Sequence, residues 1–78
     1  MSALNRDLVE GFKVLVDGYL PNEDGERVHV TSKGLIMEDT HIGNSYALVK
    51  IKNGPNKKEE IVKVPVNLIF YTNQKSDI

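Results

Sequence analysis

The sequence predicts a mainly β fold: a small barrel or a curled antiparallel sheet of four to five strands, with one short N-terminal helix. Three observations predict it. Between Ile61 and Tyr71, Val62, Val64, Val66, Leu68 and Phe70 fall at every second position, with Lys63, Pro65 and Asn67 among the residues between. Successive side chains on a strand point to opposite faces, so this spacing makes one face for a core and one for water. Shorter alternating runs elsewhere are separated by Gly, Pro, Asn and Asp clusters, the layout of a small all-β unit. At 78 residues without cysteine there is room for one domain, residues 1–78, and no disulfide or thiolate metal site to staple it.

The elements follow in order. Leu4, Leu8 and Phe12 are spaced by four, with Asn5 placed to cap and Gly11 to stop, which predicts a docking helix within residues 1–11. So short a helix needs the sheet to hold it. Phe12, Val14 and Val16 alternate with Lys13, Leu15 and Asp17 as a first strand. Gly18 to Glu26 reads as a loop, with Asp24-Gly25 its tight turn. Arg27 to Met37 is a second strand, Val28 and Val30 on one face and His29 and Thr31 on the other. Gly34 interrupts it and predicts a bulge or sharp bend. After a polar loop, Asp39 to Ser45, a third strand alternates Ala47, Val49 and Ile51 with Leu48, Lys50 and Lys52. Asn53 to Lys58 makes a hairpin loop before the last strand. Pro65 cannot donate a ladder hydrogen bond and marks an edge, a break or a short turn. The polar residues 72–78 read as a flexible tail.

The formal net charge of −1 conceals a split. Residues 1–27 hold three basic and six acidic side chains, net −3, while residues 49–78 hold six lysines against three acids, net +3. Such a split either steers a charged partner or draws the two halves together in the fold, and a solvated surface is the default reading. No stretch has the apolar length of a membrane helix, and the N-terminus lacks a basic start with an apolar run behind it. A cytoplasmic protein is the expectation, with no membrane partner.

The run Glu26-Arg27-Val28-His29-Val30-Thr31-Ser32-Lys33-Gly34-Leu35-Ile36 resembles the opening of KOW-type and related SH3-like small barrels. Tyr46 to Ile51 then corresponds to a central strand, and Val62 to Leu68 to a closing strand and short turn, so the resemblance spans residues 26–70. The loop at residues 52–60 and Pro65 depart from the pattern, and the N-terminal segment has no counterpart in it. The resemblance implies a binding module rather than a catalyst, a warrant by analogy of fold.

The residues themselves carry little chemistry. His29 and His41 alone titrate near neutrality by default. His29 lies on the outward parity of its strand, and His41 follows Glu38-Asp39-Thr40 without a second histidine at ligand spacing. The acidic turn Asn22 to Glu26 lacks the alternating oxygen ligands of a calcium loop. No phosphate loop or nucleophile motif occurs, so no enzyme, cofactor or metal is expected. Two binding readings are left. Tyr46, Leu48, Ile69 and Tyr71 fall on the outward parity as an apolar surplus, which marks them as a protein interface, for a larger complex or a second copy of the chain. Lys50, Lys52 and Lys63, extended by Lys57 and Lys58 at the hairpin, would form a basic patch for weak, salt-sensitive RNA or DNA binding. On the sequence a protein partner stands ahead of nucleic acid, and a chain this small suits a subunit of an assembly or a phage accessory protein.

Overall fold

Five strands alternate down the chain in this computed structural model, which describes residues 7–41 and 43–71, with Tyr71 described in its backbone alone. They are β1 (Lys13–Pro21), β2 (Arg27–Ile36), β3 (Tyr46–Ile51), β4 (Glu60–Pro65) and β5 (Ile69–Tyr71), with a 3-10 turn, Val66–Leu68, between the last two. All pairings are antiparallel and build one sheet in the order β4-β3-β2-β1-β5. β4 and β5 are its edges and do not pair with each other, so the sheet is not closed into a barrel. Pro65, with no N–H to donate, ends the edge strand β4, and the 3-10 turn follows it directly.

The expected alternation builds the core. Val14, Val16 and Leu20 of β1, Val30 and Ile36 of β2, Ala47, Val49 and Ile51 of β3, Val64 of β4 and Ile69 of β5 join Leu8 in one buried cluster. Because one face from every strand meets in that cluster, the sheet wraps around its own apolar side.

Four sequence expectations change. The first strand does not stop at Asp17, because Leu20 continues the inward parity and β1 runs to Pro21. Gly18 makes this compatible with the 3-10 turn, since a Cβ there would collide with the Leu68 side chain. The turn follows at Asn22–Gly25, where Asn22 Oδ1 accepts from the amides of Asp24 and Glu26 and Gly25 adopts φ +83°. Gly34 brings no bulge. Pairing runs one to one through it, Lys13↔Leu35, Val14↔Gly34, Leu15↔Lys33, and its missing side chain leaves room for Val49 instead.

The third change is at the end of the chain. The 3-10 turn advances the backbone by a step that period-two counting does not contain, so the parity inverts after it. Ile69, expected outside, is 1% exposed, and Phe70, expected in the core, is 38% exposed. The fourth is at the start. Within the described part of residues 1–11 no helix forms: Leu8 makes an isolated antiparallel bridge with Thr40, both amide bonds at 2.8 Å, and a turn through Gly11 leads into β1. Residues 1–6 and the expected tail, 72–78, lie outside the described residues.

Candidate functional site

The outward face of the sheet is set by the same parity that fills the core. On β1 it carries Lys13, Leu15, Asp17 and Tyr19; on β2, His29, Thr31, Lys33 and Leu35; on β3, Tyr46, Leu48 and Lys50. Register then decides which of these become neighbours. Lys13, Leu35 and Lys50 lie in one row across three strands, and Leu15 and Lys33 in the next, where Lys52 donates its amide to the Lys33 carbonyl at 3.1 Å.

These rows border an open cleft of about 520 Å³ whose walls include Lys13, Lys33, Lys50, Lys52, Leu35 and Glu59. Among the described residues, four ammonium groups against one carboxylate give the cleft walls a formal charge of +3. Glu59 Oε2 lies 3.8 Å from Lys50 Nζ, both groups half exposed. An ion pair that loose and that wet contributes about 0–1 kcal/mol, so it does not hold Lys50 back from a stronger anion. Among the described residues no carboxylate lies within ion-pair distance of Lys33 or Lys52.

Of the five lysines marked in the sequence, the structure gathers Lys50 and Lys52 in the cleft and leaves Lys57, Lys58 and Lys63 out of its walls. Lys63 sits 5.5 Å over the ring of Tyr46, a cation–π contact on the outer face of β3 and β4. Lys57 and Lys58 belong to the β3–β4 loop, Lys57 at φ 63°. Sequence reasoning missed Lys13, Lys33 and Glu59. Alternation marks the two lysines as outward, but only the β1–β2–β3 register places them beside Lys50. The apolar candidates divide as well. Tyr46 is 52% exposed and Leu48 half-buried, with Ile61 exposed on the paired strand. Ile69 is buried in the core and drops out as a surface residue, and the Tyr71 side chain lies outside the described residues.

Two polar clusters lie apart from the four lysines. Asp17 Oδ1 accepts from Thr31 Oγ1 at 3.0 Å and meets His29 Nε2 at 3.1 Å, while the Tyr19 and His29 rings lie 5.1 Å apart. Hydroxyl and imidazole both address the carboxylate rather than each other, which is not a nucleophile–base pair. His41 Nδ1 meets Asp7 Oδ2 at 3.4 Å on the open surface.

The second cluster orders the wall that carries Glu59. Glu60 accepts from both the side chain and the amide of Asn56, at 2.9 and 2.8 Å, and Asn56 Oδ1 accepts from the Glu23 amide at 2.9 Å. One asparagine thus ties the β1–β2 turn to the β3–β4 loop. Ser32 Oγ secures the other side, accepting from the Asn53 amide at 3.0 Å. The Asn56 side-chain hydrogen bond, helped by the Asn56 amide and the Lys58 charge against partial burial, holds the Glu60 carboxyl below its ordinary 4.5. A depressed folded-state pKa gives stability that is present above the ordinary value and lost as pH falls through the folded one. Glu60→Gln is therefore expected to cost about 1 kcal/mol at neutral pH and to flatten the fall in stability below pH 4.5. Urea midpoints at neutral and acid pH measure both effects.

Comparison with protein-family models, curated proteins and solved structures finds no match to this chain. No helix among the described residues is long and apolar enough to cross a membrane.

Proposed function

We propose that this protein is a non-catalytic binding module of the SH3-like kind that holds nucleic acid on the outer face of its sheet. The observation that carries the binding part is the cleft whose described walls bring Lys13, Lys33, Lys50 and Lys52 together with one carboxylate, Glu59. Phosphate contacts dominate nucleic-acid affinity, and clustered lysines beside an exposed aromatic supply the chemistry. The five-stranded antiparallel order and the short turn after β4 support the family part. Lys13 and Lys33 are what move nucleic acid ahead of a protein partner, because the sequence patch lacked both.

The test is a titration of labelled protein with single- and double-stranded nucleic acid at low salt, following backbone amide shifts. Shifts are expected at Lys13, Lys33, Lys50 and Lys52 and should vanish as salt is added. A silent titration would sink the reading and favour the alternative, a protein or second-copy interface on β3 and β4. That alternative has its own support in the exposure of Tyr46 at 52% and Ile61 at 51%, with Leu48 half-buried on the same side.

A further inference from the structure

We infer that the outer face takes a single strand in preference to a duplex, with Phe70 as the side chain on which a base stacks. This rests on the nucleic-acid reading above and adds the form of the ligand and the residue that reads it. Phe70 pairs with Leu15 on β1, and Leu15 pairs with Lys33 on β2, so the three share one row across the face. Two strand spacings separate Phe70 from Lys33, about 10 Å between Cα atoms. Lys13 is on the same face of β1, one outward position from Leu15. The 3-10 turn that inverts the parity of β5 is what brings Phe70 to the surface, while Leu15 and Leu35 are half-buried between the lysines.

An exposed ring beside a cation-lined cleft combines the two elements of single-strand recognition, a face for the base and charges for the phosphates. Size argues the same way. About 520 Å³ lies within the roughly 300–1,000 Å³ of sites that enclose small ligands, enough for a nucleotide or two. A duplex keeps its base faces stacked on one another, so it could meet the lysines through its phosphates but would leave Phe70 without a base to stack on.

The experiment compares three polyanions at one ionic strength: labelled oligo(dT), a duplex of the same length, and inorganic polyphosphate. Wild-type protein should bind oligo(dT) tightest, and the Phe70 ring protons should move upfield with oligo(dT) but not with polyphosphate. Phe70→Leu should weaken oligo(dT) about tenfold, the loss of one base–aromatic stack, and leave polyphosphate binding unchanged. Phe70→Tyr should bind as wild type. A duplex bound as tightly as the single strand, or Phe70 ring protons indifferent to oligo(dT), would overturn the inference while leaving the nucleic-acid reading in place. Failure of all three polyanions to bind would overturn both.

Discussion

Gly34→Ala is expected to destabilise the fold by about 1–3 kcal/mol, the range for overpacking a filled core. The opposite sign is the ordinary one, since a Gly→Ala change at an unstrained position stabilises by about 0.4–1 kcal/mol through the unfolded chain. Geometry decides between them. A Cβ at Gly34 would lie 2.6 Å from Val49 Cγ1 and 3.4 Å from the Lys50 carbonyl oxygen. Val49 is fully buried and β-branched, so it has no free rotamer into which to retreat. The clash therefore outweighs the entropy gain. Total stability for 78 residues is roughly 4–12 kcal/mol, so the destabilisation is a large share of it. Val49→Ala makes the check sharp: in Gly34→Ala/Val49→Ala the new methyl enters the space the valine leaves. The double variant should then be more stable than the sum of the two single effects predicts, by about 0.5–3 kcal/mol. Urea unfolding of the four proteins measures this, and a Gly34→Ala protein as stable as wild type would refute the packing account.

Reversing two charges in the cleft, Lys33→Glu with Lys50→Glu, is expected to weaken oligo(dT) binding about a thousandfold at low salt. Each reversal exchanges about 1 kcal/mol of attraction at contact distance for as much repulsion, and the two together reach roughly 4 kcal/mol. With Glu59, the variant cleft holds three carboxylates against Lys13 and Lys52. Salt gives a second readout. Four phosphate contacts predict that log K falls with log salt at a slope of about −3, and removing two should halve it. The fold should be unharmed, because these side chains face outward and Lys50 gives up no more than a loose, half-exposed pairing with Glu59. The same reversals at Lys57 and Lys58 change the net charge equally but lie outside the cleft walls. They should cost far less. Equal weakening from both pairs would mean that binding follows net charge and that the cleft is no site.

Local pattern made much of this fold legible. β3 runs over the alternating residues that mark it, and the β1–β2 and β3–β4 turns are where Gly, Asn and Asp cluster. The split of charge along the chain, by contrast, was a poor guide to the surface. Lys13 belongs to the acidic third of the sequence, yet register sets it in a row with Lys50 from the basic third. The acidic turn at Asn22–Glu26 likewise ends up tied to the lysine-bearing β3–β4 loop through Asn56. Linear charge asymmetry was folded across itself.

Periodicity and turn chemistry by themselves determined that this chain is a small all-β unit, which faces of its central strands are buried, and where they are joined. Those properties depend on the alternation of neighbouring side chains and on the backbone preferences of single residues, both present before any long-range contact forms. Only the tertiary structure decided that the sheet is open, that Gly34 yields its space to Val49 rather than bulging, and that Leu8 pairs with Thr40 in place of a helix. It also decided that Ile69 and Phe70 exchange sides. A single 3-10 turn shifts the count by which inside and outside are assigned, and strand register, set by residues far apart in the chain, assembles the four lysines. Neither quantity is carried by any local window of sequence, and the candidate site depends on both.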